Sequence, residues 1–152
     1  MHLNTQMDSF VDPFHCVSNN LHQTARAVTR IYGEELRPTG IQRSQFSILA
    51  YLSRLGSARI SDLSDLMYME RTTMTRNLKP LEKMGLISIK ADPDDARARQ
   101  VALTDAGLAR FQEALACWKR AQKRIVDEYG EDNWQALEAS LRDLRRLTTD
   151  IR

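Results

Sequence analysis

Apolar residues recur at three- and four-residue steps through most of this chain, and prolines and glycines divide them into segments. Asp12-Pro13 is a favourable helix entry, because a proline at the first helical position loses only an N–H that has no partner there. From it Phe14, Val17, Leu21, Val28, Ile31 and Leu36 lie on one stripe, ended by Pro38 and Gly40. The pattern predicts one long helix over 12–37. Residues 1–11 have no period and read as a mobile arm. A second helix is predicted over 43–55; Phe46, Ile48, Leu49, Tyr51, Leu52 and Leu55 cover more than one face, so it should be largely buried. After Gly56, residues 57–60 are too few for more than a small edge strand. Ser61 then caps a third helix with Leu63, Leu66 and Met67 inward.

The fourth helix is predicted over 71–84, with Met74, Leu78 and Leu81 as its buried stripe. Pro80 removes the hydrogen bond to the carbonyl of Arg76, at a cost of about 3 kcal/mol in a helix interior. Either a kink near Arg76 or packing strong enough to override the proline is expected. Gly85 turns the chain into two strand-like runs, 86–90 and 100–103, joined by a polar tip containing Asp92-Pro93-Asp94-Asp95. Thr104 opens a fifth helix as its N-cap, with Leu108, Phe111, Leu115, Trp118, Ile125 and Tyr129 on its stripe. Beyond Gly130 a sixth carries Trp134, Leu137, Leu141, Leu144 and Ile151.

Three helices, a two-stranded hairpin and a further helix, in that order, predict a mainly α fold with a small β-hairpin: a winged helix-turn-helix. One domain, 1–152, is expected, with the winged-helix lobe at 41–103 and long flanking helices at 12–37 and 104–151. The flanking stripes exceed what so small a core needs, which predicts dimerisation helices and a homodimer. An intramolecular bundle is the alternative.

Composition narrows the functional class. At 152 residues, 42% hydrophobic and 28% charged, the chain suits an ordinary globular domain. No apolar run approaches the roughly 20 residues that span a bilayer, and the N-terminus lacks the basic and apolar regions of a signal peptide. A cytoplasmic protein without membrane partners is expected. Cys16 and Cys117 lie far apart, and no structural disulfide is expected. The net charge of +2 is unevenly spread: residues 71–99 hold seven basic and four acidic side chains, whereas residues 1–40 balance to −1 and residues 100–152 to zero. This is a local footprint for double-stranded DNA, centred on the fourth helix and the hairpin after it.

On that helix Arg71 and Arg76 offer bidentate donors to guanine or phosphate. Thr72 and Thr75 are short enough for close approach, Lys79 suits a phosphate, and Asn77 suits adenine unless it turns away from the groove. A merely solvated helix face is the alternative. No P-loop, dinucleotide fingerprint, nucleophile elbow or metal-ligand spacing is present, so neither an enzyme nor a cofactor or metal is expected.

The chain resembles the MarR family of bacterial transcriptional regulators from about residue 14 onward, most densely over 63–107. Thr73-Met74-Thr75-Arg76 is similar to the family's T-V-T-R, and residues 81–87, LEKMGLI, to its L-E-x-x-G-L-I/V. Asp95-Ala96-Arg97 stands at its wing signature D-x-R, and residues 101–107, VALTDAG, match V-x-L-T-x-x-G. The resemblance implies a homodimeric regulator, a repressor, released from a pseudo-palindromic operator by a small molecule or an oxidant. It also implies that Arg97 enters the minor groove and that Asp95 orients wing or reader arginines. A second arginine often follows the family's aspartate; here it is Ala96, and Arg99 is the candidate to compensate. Arg43, Tyr51 and Trp118 are candidate effector-pocket residues, with plain packing as the alternative. Cys16 is the candidate redox sensor: it stands near the start of the first helix, as does the cysteine of the family's peroxide sensors, and a thiolate is the oxidisable form. A buried, inert thiol is the alternative. The competing functional class is a winged-helix protein-interaction module that does not bind DNA.

Overall fold

The computed structural model describes residues 12–150, with side chains to residue 147. The expected arm at 1–11 and Ile151 lie outside the described residues. The first helix starts later than its proline. Asp12 Oδ1 accepts the Phe14 N–H at 3.0 Å and caps a single 3-10 turn, Pro13–His15. Cys16 then leaves helical space, with ψ at 121°, and becomes the N-cap of α1 (Val17–Leu36). Its carbonyl accepts both the backbone N–H and the side-chain amide of Asn20, at 3.0 and 2.9 Å. A second 3-10 turn, Arg37–Thr39, leads into α2 (Arg43–Leu55). There Gln45 Oε1 accepts the Gln42 N–H at 2.9 Å, supplying a partner at the helix entry.

β1 (Ser57–Arg59) runs straight into α3 (Ile60–Leu66). Arg59 holds the N-cap position, so Ser61 falls inside the first turn and does not cap the helix; its hydroxyl reaches Asp62 instead. Leu63 is buried and Met67 packs against the core, but Leu66 faces outward, contrary to the stripe assigned to it. α4 (Arg71–Lys83) is continuous through Pro80. Met74 and Leu78 before the proline and Leu81 after it are all fully buried, so tertiary packing overrides the local cost. β2 (Ile87–Ala91) and β3 (Arg99–Leu103) form the hairpin, with Ile87 opposite Leu103 and Ala91 opposite Arg99. β1 adds to the other side of β3, with Ser57 opposite Ala102, giving an antiparallel sheet ordered β1-β3-β2. This is a winged helix-turn-helix.

α5 (Asp105–Tyr129) and α6 (Glu131–Asp150) complete the chain. α5 packs against α1 and α2, and its most buried residues are Gly107, Ala114, Cys117 and Ala121. The predicted stripe is therefore displaced: small residues make the close contact, Phe111, Leu115 and Trp118 border it, and Leu108 and Tyr129 are exposed. No helix among the described residues is long and apolar enough to cross a membrane.

One junction fixes α4, the hairpin and α5 relative to one another. Gly85, with φ at +71°, turns the chain out of α4. Thr104 Oγ1 donates to the Gly85 carbonyl at 2.6 Å and accepts the Gly107 N–H at 3.0 Å, while the Thr104 N–H donates to the Leu86 carbonyl at 3.1 Å. A Cβ at position 107 would stand 1.8 Å from that carbonyl oxygen. Gly85, Thr104 and Gly107, separate in sequence, are parts of one lock.

Candidate nucleic-acid interface

The lock presents α4 with its polar face outward. Arg71, Thr72, Thr75, Arg76 and Lys79 are all exposed, and their spacing places them within one sector beside the buried stripe. Thr75 Oγ1 donates to the Arg71 carbonyl at 2.9 Å. That leaves its methyl group and hydroxyl lone pairs available to a ligand. Among the described residues no hydrogen bond or ion pair engages the charged ends of Arg71, Arg76 or Lys79. Asn77 is turned from this face. Its Oδ1 accepts the Ser44 hydroxyl at 2.6 Å and its Nδ2 donates to the Thr73 carbonyl at 2.9 Å, tying α4 to the start of α2.

The turn into α4 holds a feature that sequence reasoning missed. Tyr68 is exposed at φ +50°, the single non-glycine residue at positive φ among the described residues. A left-handed conformation costs an L-residue about 1–2 kcal/mol. The turn holds it there: the Tyr68 N–H donates to the Asp65 carbonyl and the Met69 N–H to the Ser64 carbonyl, at 3.2 and 2.9 Å. A glycine would have signalled such a turn; a tyrosine gives no sign.

The wing tip spans 92–98. Asp95 Oδ1 accepts the Arg97 N–H at 3.0 Å, so Asp95 shapes the backbone that displays Arg97 rather than clasping its guanidinium. Arg97 and Arg99 are exposed, with no partner for their guanidinium groups among the described residues. The acid that organises the tip is Asp92, which the sequence shows only as one of three acids in the polar tip. It is buried and pairs with Arg59 through two hydrogen bonds, at 2.8 and 3.0 Å. The Arg59 guanidinium, helped by the backbone N–H of Asp94, lowers the Asp92 carboxyl from 3.8 to about 2. The matching effect raises Arg59.

Of the three proposed pocket residues, Trp118 is the one that lines the cleft between α5 and α6. Trp118 stacks between Tyr32 and Phe46, at centroid separations of 6.4 and 5.9 Å, and also lines a cleft of about 500 Å³ between α5 and α6 with Val126 and Trp134. Arg43 and Tyr51 do not line that cleft. Tyr32 donates its hydroxyl to Gln122 Oε1; burial raises its pKa, with the Arg43 charge acting the other way. Cys16 is exposed within the single chain, whereas Cys117 is buried and its sulfur lies 3.2 Å from Arg120 Nη2. Among the described residues no three His, Cys, Asp or Glu side chains gather as metal ligands.

The MarR family's sequence model matches residues 41–98, from just before α2 to the wing tip. The transcriptional regulator MosR of M. tuberculosis, solved in complex with DNA, is 31% identical, with a TM-score of 0.81 over 90% of this chain and 98% of that one. The chain belongs to the MarR family. Within that family a cysteine-to-serine mutant of MarR from E. coli, solved with operator DNA, shares the fold at 21% identity, with a TM-score of 0.78 and coverage of 90% and 98%. The HTH-type transcriptional repressor MdtR of Bacillus subtilis is 28% identical over 99 residues, 65% of this chain and 64% of its own. As a MarR-family protein the chain is a transcriptional regulator, not an enzyme.

Proposed function

We propose that this MarR-family regulator is a cytoplasmic, homodimeric, sequence-specific DNA-binding repressor that grips its operator at two places per chain. The observation that carries the reading is the paired display of unpartnered cations, on α4 and on the wing tip, joined through the Gly85–Thr104–Gly107 lock. α4 enters the major groove, where Arg76 and Arg71 contact guanine edges or phosphate, Thr72 and Thr75 approach thymine methyls or phosphate, and Lys79 holds a phosphate. Arg97 enters the minor groove, drawn by its negative potential, on the turn that Asp95 shapes, with Arg99 beside it on the phosphates. The relative solved with DNA, MosR, supports this reading, and MdtR supports repression.

The homodimer rests on the apolar faces that α1, α5 and α6 leave uncovered, including Leu21, Leu137 and Leu147. In this reading residues 12–37 and 104–151 are dimerisation helices and 41–103 the reading lobe of a single domain. Release by a small molecule at Trp118 or by an oxidant at Cys16 completes the proposal, supported by the Trp118-lined cleft and the exposed thiol. If Cys16→Ser leaves peroxide-dependent release unchanged, the thiol has no part in it.

Selection of duplexes from a random pool tests the main reading. It should enrich a pseudo-palindrome whose half-sites are roughly 34–36 Å apart, one helical turn. Failure to enrich any sequence at moderate salt contradicts the proposal and favours a protein-interaction module.

A further inference from the structure

Arg59 lies outside both reading elements, yet it grips the root of the wing. It ends β1, opposite Gln100 of β3. Asp92 follows β2, whose last residue, Ala91, stands opposite Arg99. Since β3 is the central strand, the Arg59 side chain reaches past its end to the far strand. Nε donates to Asp92 Oδ2 at 2.8 Å and Nη2 donates to Oδ1 at 3.0 Å, a parallel fork that a lysine cannot reproduce. Oδ1 also accepts the N–H groups of Asp94 and Asp95, at 2.9 and 3.1 Å. Asp92 is the one buried charged residue among the described residues, its side chain only 4% exposed. A buried carboxylate is tolerated when paired and hydrogen-bonded, and unstable when its partner is removed.

The grip extends to the tip. The Asp92 N–H donates to the Ala98 carbonyl at 3.0 Å and the Ala98 N–H to the Asp95 carbonyl at 2.9 Å. The Asp95 carboxylate in turn holds the Arg97 N–H. Each link fixes backbone that would otherwise have to be ordered on binding, an entropic cost that lowers affinity.

We propose that Arg59 is a positioning residue for DNA binding: by holding Asp92 it fixes the tip from which Arg97 projects, and it acts on affinity through Arg97. The proposal rests on the wing contact in the proposed function. It is tested with the full chain and a selected duplex, by measuring affinity and its salt dependence for Arg59→Ala, Arg97→Ala and the double variant. Arg97→Ala should weaken binding about tenfold and reduce the salt slope by about one. Arg59→Ala should weaken binding by a similar factor and flatten the slope in the same way. In the Arg97→Ala background the second change should cost less than about twofold, because the two act as one unit. Asp92→Asn keeps a carbonyl for the Asp94 and Asp95 N–H groups but loses the ion pair; it should reproduce the loss and stands in if Arg59→Ala does not fold. Arg59→Lys should fall between. Wild-type binding by Asp92→Asn and Arg59→Lys, or losses that add fully to that of Arg97→Ala, overturn the proposal. If Arg97→Ala itself binds like the wild type, the wing contact fails and this inference with it.

Discussion

The apolar stripe of α4 is fully buried at Met74, Leu78 and Leu81, whereas similar spacing on α6 leaves Leu137 36% and Leu147 57% exposed. Both helices are amphipathic and of ordinary length, so the difference lies in their surroundings. α4 has α2, α3 and β2 to pack against within the chain. α6 has chiefly α5, and the cleft between them is lined by Trp118 and Trp134. The reading lobe is thus closed by its own chain, while the flanking helices retain an apolar face of the kind that marks an interaction surface. A mutation in the lobe or where α1 and α5 pack on it should therefore act on folding or reading within one chain, and one on the open face of the flanking helices should act through assembly.

The largest expected effect is at the lock that joins the lobe to the start of α5. Gly107→Ala places a methyl 1.8 Å from the Leu86 carbonyl oxygen and 2.8 Å from its carbon, both of them backbone atoms. We expect a loss of more than about 3 kcal/mol, beyond ordinary overpacking, measured by urea denaturation. A wild-type midpoint would show that the lock is not tight. On the flanking side, Leu141→Glu puts a charge on the half-buried stripe of α6 and should raise the dimer dissociation constant by about 100-fold or more. Sedimentation would show monomers at micromolar concentration while the lobe keeps its helical circular dichroism. Unfolding of the lobe together with loss of the dimer would erase the distinction between the two regions.

Arg76→Ala, on the reading face, should leave folding intact and cost about 1–3 kcal/mol of operator affinity, relaxing preference at one base position. An unchanged base profile would remove Arg76 from readout. The smallest effect concerns pH. The Asp92 carboxyl lies at about 2 in the fold against an ordinary 3.8, so its contribution is complete above pH 4 and fades as pH falls toward 2. The stability advantage of wild type over Asp92→Asn should shrink across that window. A constant difference would mean that the ion pair does not carry the coupling.

Much of this was legible locally. The helices, the hairpin, the Thr104 cap and the buried stripe of α4 follow from periodicity and turn chemistry within a few residues. What was not legible depends on distance or on competition between neighbours. Arg59 and Asp92 are 33 positions apart, as are Ser44 and Asn77, so neither pair is visible to a reading that runs along the chain. Asp95 drew attention through its motif, while the acid that anchors the wing root stood three residues earlier. Asp12 caps a separate 3-10 turn over Pro13–His15, and α1 starts only at Val17, with the Cys16 carbonyl bonded to Asn20. On α5, large apolar residues marked the stripe, but close packing against α1 and α2 selected the small ones beside it. Among the candidate site residues, those of α4 and the wing are exposed, whereas Arg43, Tyr51 and Trp118 were named on general grounds, and of the three Trp118 lines the cleft between α5 and α6.

The central claim is that two chains, joined through the faces their flanking helices leave open, present two readers to one operator. Native mass spectrometry of the protein on a selected pseudo-palindromic duplex tests it most directly. Two chains per duplex are expected for the wild type, and for Leu141→Glu one chain or none, with weakened binding. A single wild-type chain bound per duplex, or Leu141→Glu binding as tightly as wild type while monomeric, would contradict it.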